Sequence, residues 1–547
     1  MKPASYFTLA AAALIVLAPF GAARASDAPL ESLRQRVEEL RTGREVRVDG
    51  ERLAAPALFA QLYEQRAFRP AWTAARAQEL LALVDSVRED GLDPGDYHLA
   101  ALHAGVEGEA DRELLYTDTV IRLAYTFYFG KLDPRELDPA WNFARTLDGI
   151  DPVQALDGIL RAPALAPAVR AYAPQLPEYR NLRKALARYR EIRDAGGWSG
   201  IPDGPTIKPG NRDPSVAALR ARLAASGDWS PQEEPAEVPD FYDPALEAAV
   251  TRFQRRHGLE PDGLVGRRTR AALDVGVQAR IDQIRVNLER LRWVAQDLKG
   301  DYLLVDIAGF RARLALDGHI AWSSRVVVGR PYRSTPEFRA TMKYIVLNPT
   351  WTVPPTILEE DMVPKIVADP GVLERDHMEV RDFAGRTVDP ATIDWAAYLK
   401  RPLPYLIVQA PGDANPLGRL KFMFPNSHDV YLHDTPSKNL FDKPERAYSS
   451  GCIRVEHPLE LAVLLLNDPV QWNREALLDA IATGETRSVF LKRRVPVMLL
   501  YWTAVADENG AVEFHPDLYE RDAPVLKGLD EPFRFNLPAS EGPGGRR

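Results

Sequence analysis

One residue dominates the chemical inventory of this chain. Cys452 is the single cysteine among 547 residues, and it sits in Tyr448-Ser449-Ser450-Gly451-Cys452-Ile453-Arg454-Val455. Small side chains on its N-terminal side leave the sulfur approachable, and Gly451 permits an unusual backbone angle and close approach. A thiol becomes a nucleophile when a base or a cation holds it as thiolate. Three histidines lie near in sequence: His428, His433 and His457. If Asp429 to His433 is a strand, alternation puts Asp429, Tyr431 and His433 on one face and turns His428 away. His433 ends that strand at Asp434-Thr435-Pro436, a good place for a base. Pro458 makes His457 the start of a helix. His433 is therefore the favoured base, with His457 and His428 as weaker alternatives. A zinc site from His428, His433 and Cys452 fails on the same geometry, because the two imidazoles diverge from one strand.

The elements that must position these groups read as strands. From Tyr302, Leu303, Val305 and Ile307 alternate, followed by Ala312, Leu314 and Leu316. Asp317-Gly318 is a hairpin turn signal. Trp322–Val328, Lys343–Leu347, Tyr405–Gln409 and Asp429–His433 continue the pattern, and two further runs cover 489–492 and 497–503. A polar, partly helical segment over 358–399 interrupts them as an insertion. Upstream the periodicity is helical. Leu30, Leu33, Val37 and Leu40 recur at helical spacing, as do Leu80, Leu81, Val84 and Val87. This region carries no acid–base or metal constellation, and its aromatic cluster Tyr125, Phe127, Tyr128 and Phe129 reads as core. Residues 196–210 are Gly- and Pro-rich and read as a linker. Residues 213–275 form a compact helical unit.

Composition limits what the whole can be. With 46% hydrophobic and 27% charged residues the chain is ordinary globular protein of three or four domains, not a disordered or fibrous one. One cysteine excludes an intramolecular disulfide and a zinc site built on several thiolates. A net charge of −8 gives no support to nucleic-acid binding. Residues 1–25 read as a cleavable secretory signal: Lys2, an apolar stretch from Phe7 to Ala18, then Ala23-Arg24-Ala25. The stretch is short for a membrane span, which needs about 20 residues. An unpaired thiol in an exported chain is either buried and inert or reactive and used.

Two resemblances follow from the motifs. Phe253-Gln254 followed by the D-G-x-x-G-x-x-T-x-x-A-L run of Asp262–Leu273 resembles the three-helix peptidoglycan-binding module. His433 in Val430-Tyr431-Leu432-His433-Asp434-Thr435-Pro436, set 19 positions before Cys452 in Ser449-Ser450-Gly451-Cys452-Ile453-Arg454, resembles the L,D-transpeptidase catalytic motif. Asn415-Pro416-Leu417-Gly418 is similar to that family's N-P-L-G segment, and Val328-Gly329 with Thr335-Pro336 to its V-G…T-P segment. The short-form enzymes often carry His where Ser450 stands. The whole chain resembles the long, scaffold-bearing L,D-transpeptidases of Gram-negative bacteria.

The resemblance implies a multidomain α + β architecture: signal peptide 1–25, helical scaffold 26–200, peptidoglycan-binding-like module 211–276, mostly-β catalytic domain 298–503 with a helical cap inserted at 358–399, and an extension and tail over 504–547. It implies a Cys452 thioester on tetrapeptide stems, with His433 as proton carrier and a backbone carbonyl of Ser449 or Ser450 orienting the imidazole. Backbone N–H groups around Gly451 and Cys452 would be the oxyanion donors. Arg454 would bind a substrate carboxylate or fix the loop. Trp351 would line the cleft or pack in the core, and Tyr431 would contact substrate. Asp429 and Asp434 would be turn and surface residues. No cofactor or metal is implied. The implied setting is the periplasm without a stable membrane anchor, with sensitivity to carbapenems and, by analogy, other cell-wall synthases as partners. An L,D-carboxypeptidase or endopeptidase of the same fold, or a non-catalytic wall-binding scaffold, would carry the same motifs.

Overall fold

The computed structural model describes residues 28–42, 46–230 and 238–537. The leader read over 1–25, the acidic loop over 231–237 and the tail from 538 lie outside the described residues. Residues up to Asp85, Pro94–Ala124 and Leu147–Arg170 form one compact unit. Its helices Pro56–Gln65 and Pro152–Arg161 each begin on proline, whose missing N–H costs nothing at a first turn. They bury Phe59, Leu62, Val153, Leu156 and Leu160. Residues 86–93, 125–146 and 171–547 form the second unit. The helical region read over 26–200 contributes residues to both units.

The second unit contains the catalytic sheet. Nine strands build it: β1 (Tyr302–Asp306), β2 (Arg311–Leu316), β3 (His319–Gly329), β4 (Phe338–Leu347), β5 (Leu420–Met423), β6 (Leu432–His433), β7 (Ala447–Ser449), β8 (Ile453–Val455) and β9 (Arg487–Leu500). They lie in the order β7-β3-β8-β6-β5-β4-β9-β1-β2, and β2 pairs back onto β3, so the sheet closes on itself. Asp317 and Gly318, both at positive φ, make the β2–β3 turn. Leu303, Val305, Leu314, Val326, Ile345, Phe422, Leu432 and Ile453 fill the interior with the helix Pro458–Leu466. The two C-terminal runs seen in sequence are one strand, β9, with a register shift between Phe490 and Val495.

Two features depart from the sequence reading, and the extension after 504 gains defined elements. The insertion is not purely helical and is wider than 358–399. Trp351–Thr352, Met378–Arg381, Thr387–Val388 and Leu406–Gln409 form its own four-stranded sheet, so the Tyr405–Gln409 run belongs to the cap and not to the catalytic sheet. The 196–210 stretch is no mere linker: Ile201 and Ile207 are buried in the module, beside Val216, Leu246, Phe253 and Leu273. The region after 504 is ordered as a hairpin, Ala504–Ala506 with Val512–Phe514, and a helix, Asp522–Asp530.

A helix that amphipathicity does not announce joins these parts. Val277–Val294 buries Arg280, Asn287, Glu289, Arg290 and Arg292. Glu289 accepts hydrogen bonds from Leu132 N–H at 2.8 Å and Trp293 Nε1 at 3.1 Å, and pairs Arg292 at 2.7 Å. Arg292 also donates to Tyr179 Oη and to the Asp90 carbonyl. Both members of the Arg292–Glu289 pair are fully buried. Removing one partner strands the other charge, so Arg292→Ala destabilises the second unit by about 3–5 kcal/mol. Urea unfolding followed by the fluorescence of its tryptophans, Trp293 among them, measures the loss.

Candidate active site

β5, β6 and β8 build the site. β6 runs parallel to β8, pairing Leu432 with Ile453 and His433 with Arg454. β5 lies antiparallel on the other side, pairing Lys421 with His433 and Phe422 with Leu432. Phe422, Leu432 and Ile453 point into the core. Alternation therefore puts Lys421, Tyr431, His433, Cys452 and Arg454 on the opposite face. The strand expected over Asp429–His433 is only Leu432–His433, because Asp429 has positive φ just after the turn of Ser427 and His428. The face assignment of Tyr431 and His433 holds, with their rings 5.7 Å apart.

His433 is buried at 4% exposure. Its Nδ1 lies 2.5 Å from the Asp434 carbonyl oxygen, and the Pro416 carbonyl is a second partner. The orienting carbonyl is thus not that of Ser449 or Ser450. The Ser449 carbonyl is occupied by the Arg330 N–H at 3.0 Å. Burial, with the nearby Arg454 and Lys421 charges, pushes the imidazole down to about 3, so it is neutral at physiological pH. Asp434 is a buried anchor, not a surface turn residue. Its carboxylate accepts from Arg419 N–H at 2.9 Å and Lys438 Nζ at 2.5 Å. The N-P-L-G segment supplies the room: Gly418 has φ +60, and a Cβ there would lie 2.4 Å from Asp434 Oδ2. The Asn415 side chain ties that turn to the Pro349 and Ala410 carbonyls.

The nucleophile loop is pinned from three sides. Gly451 has φ +111, and a Cβ would meet only ordinary contacts at 3.8 Å, so the backbone angle and not close approach requires glycine. Ser449 Oγ accepts from Gly451 N–H at 3.2 Å and donates to the Cys452 carbonyl at 2.5 Å. That removes Gly451 N–H from the expected oxyanion donors. The Cys452 N–H has no backbone hydrogen-bond partner among the described residues and is left as the candidate donor. Thr335 Oγ1 donates to the Gly451 carbonyl at 2.8 Å and accepts from Gly329 N–H at 2.9 Å. Gly329 is a close approach: a Cβ there would lie 2.2 Å from the Arg333 carbonyl. Tyr519, from the C-terminal extension, donates to the Gly329 carbonyl at 2.6 Å. Ser450 Oγ meets Arg333 at 3.0 Å, and Arg333 pairs Glu360 at 2.5 Å and Asp361 at 2.6 Å on the cap.

The sulfur of Cys452 lies 3.8 Å from the Asp429 carbonyl, and the Tyr431 N–H and hydroxyl hydrogen-bond it. Burial pushes the thiol up, while these donors and the Lys421 and Arg454 charges pull it down. Asp429 itself is exposed, as expected. Trp351 pairs with Gln409 in the cap sheet and packs on the cap core. His428 packs on Phe338, 4.9 Å between ring centroids, and His457 is half exposed at the N-cap of Pro458–Leu466. Neither belongs to the site. Lys421 is the residue the sequence reading missed. Its signal is a lone lysine between Leu420 and Phe422 in an alternating strand, visible only once that strand is paired to His433. No group of three or more metal-ligating side chains occurs among the described residues.

Comparisons with known proteins follow this geometry. Residues 300–471 match the model of the L,D-transpeptidase catalytic domain, residues 212–273 that of the "Putative peptidoglycan binding domain", and residues 57–186 that of a scaffold domain. A protein of Haemophilus influenzae named "Putative L,D-transpeptidase" is 36% identical over 243 residues, 44% of this chain and 48% of that protein. The chain therefore spans about half the length of this relative. Among solved structures, an L,D-transpeptidase from Xylanimonas cellulosilytica aligns at 16% identity and TM-score 0.18, covering 55% of this chain and 99% of that one. An L,D-transpeptidase from Mycobacterium smegmatis aligns at 12% identity and TM-score 0.18, covering 37% and 58%. Scores this low carry no argument about the site.

Thr335→Val leaves Gly329 N–H and the Gly451 carbonyl unpaired, at about 1–3 kcal/mol. Alkylation of Cys452 by iodoacetamide, read by intact mass, becomes slower at unchanged helix content. Because the imidazole is held down to about 3, its neutral form persists as pH falls. The pH profile of that alkylation therefore shows one ionisation, the thiol's, and no inflection near the ordinary histidine value of about 6.5.

Proposed function

With residues 300–471 an L,D-transpeptidase catalytic domain, we propose that this chain is a peptidoglycan L,D-transpeptidase acting through a Cys452 thioester. The reading rests on one arrangement. A lone thiol and a neutral, carbonyl-oriented imidazole share one face of adjacent strands, beside an unpartnered backbone N–H. Cys452 attacks the carbonyl of the third stem residue, and its proton passes to His433. The Cys452 N–H receives the developing oxyanion. Collapse of the tetrahedral intermediate expels the terminal D-Ala, whose amine takes the proton from His433. An amine of a second stem then attacks the thioester, giving a bond between third-position residues and releasing the thiol. As the thiolate forms, its charge beside the imidazole raises the proton affinity of His433, so a base neutral at rest can still accept.

Other parts of the chain support recognition. The helical module over 212–273 carries the peptidoglycan-binding signature. In it, Gln254 bonds Asp262, Leu264, Thr269 and the Gly263 N–H. The signature residues therefore hold the turn of Gly263 together, and a glycan would be met by the module's surface. Arg454 forms no ion pair among the described residues, which supports a role in binding a stem carboxylate. A wall substrate puts the working protein outside the cytoplasm, in keeping with the leader read over 1–25. No helix among the described residues is long and apolar enough to cross a membrane.

Incubation with purified tetrapeptide muropeptides tests the reading. Cross-linked dimers and released D-Ala are expected. Tripeptide alone would mean hydrolysis, and unchanged muropeptides a non-catalytic chain. Cys452→Ala abolishes both products, and His433→Ala lowers turnover by about 10²–10⁴-fold. Carbapenem adds one covalent mass to the wild type and none to Cys452→Ala.

A further inference from the structure

The catalytic face carries an uncompensated charge. Lys421 Nζ is seated on the Tyr431 ring, 3.9 Å from its centroid, and is partly buried. It has no ion pair or hydrogen bond to a carboxylate among the described residues. The charged and titratable groups on the face of the thiol, among the described residues, are these. Lys421 comes from β5, Tyr431 and His433 from β6 and the turn before it, and Arg454 from β8. Arg330 lies behind Arg454 and repels it. Asp434, at the end of β6, is already held by Lys438 and the Arg419 N–H. Asp429 is exposed, and only its carbonyl faces the sulfur. A partly buried ammonium without a counter-ion is costly. The ionisable group left to balance it is Cys452.

The imidazole cannot be the standing counter-cation of a resting thiolate, because burial and the same two cations hold it neutral. In Cys–His pairs whose ring is charged at rest, the imidazolium supports the thiolate. Here a permanent cation already occupies that place, one strand over. Lys421 pairs with His433 in register and lies on the ring whose hydroxyl and N–H meet the sulfur.

We propose that Lys421 is a positioning residue for the nucleophile: its ammonium, held on the Tyr431 ring, is the standing cation that stabilises the Cys452 thiolate. This rests on the reading of Cys452 as nucleophile and deepens it. When the free thiol ionises in the absence of substrate, the S–H proton goes to solvent. During attack it goes to the His433 imidazole. Lys421 keeps its three protons in both, so it changes the energy of the anion and not the route of the proton.

The single cysteine makes the test clean, since every thiol adduct on the full chain is at Cys452 and Cys452→Ala gives the background from amines and imidazoles. Iodoacetamide alkylation is followed by intact mass from about pH 6 to 10. An opposite charge within a few ångström lowers a pKa by about 1–3 units. Lys421→Met and Lys421→Gln therefore shift the profile alkaline by about one unit or more, and slow labelling at neutral pH roughly tenfold. Lys421→Arg stays near the wild-type profile. Both neutral variants melt no lower than the wild type, because they remove an unpaired cation and not a paired one. Profiles that superimpose on the wild type overturn the role of Lys421 alone. Neutral variants that unfold overturn it too, since the lysine would then be a packing element. A folded wild type inert to iodoacetamide, whose urea-unfolded form reacts, overturns the nucleophile reading itself.

Discussion

The site depends on a very short parallel pairing. Leu432 and His433 lie beside Ile453 and Arg454, and this two-residue pairing sets the His433 strand next to the Cys452 loop. Two residues of pairing suffice because both strands are trapped. β6 is also held by β5 and β8 by β3, and the whole sheet closes through β2 and β3. Leu432 and Ile453 are fully buried. A slip of one residue would turn them to the outer face and His433 and Arg454 into the core. The hydrophobic cost of that slip holds the catalytic register, so chemistry and core are two faces of one constraint.

The loop that carries Cys452 obeys a second logic. Ser449, Thr335, Gly329 and Tyr519 form a chain of hydrogen bonds from the C-terminal extension to the nucleophile. Each buried polar group in it is satisfied, and the Cys452 N–H is left over. A donor aimed at the site before substrate arrives needs no reorganisation when charge develops. The extension is therefore a brace for the active-site loop. Arg333 makes a corresponding tie from the β3–β4 connection to Ser450 on one side and the cap acids on the other. Cap and nucleophile loop share a single guanidinium, which couples the seating of one to the conformation of the other.

Electrostatically the site is an anion trap. Two cations and a neutral imidazole sit on one face, and the nearest acid, Asp434, is consumed in holding the turn after His433. Burial works against the thiolate and against the imidazolium at once. Burial wins at the sulfur and holds the Cys452 thiol above its ordinary value, and Lys421 and Arg454 offset part of that cost. The overall net charge of −8 is irrelevant at this scale.

Much of this was legible from local sequence. Alternation marked β1, β2 and the outward face of Tyr431 and His433. Asp317-Gly318 marked the hairpin. The uniqueness of Cys452 and the small residues before it marked the thiol. These are short-range properties, set by backbone sterics and side-chain periodicity within a few residues. What only the tertiary structure decided are pairings between distant segments. Asp434 and Pro416, not Ser449, orient His433. Ser449 takes the Gly451 N–H, and Lys421 arrives from a strand 31 residues before Cys452. Leu406–Gln409 joins the cap, and the charged helix Val277–Val294 lies buried because its arginines find partners from other segments. A hydrogen bond between strands leaves no mark on either strand's own composition, so its partner is settled only when the sheet closes.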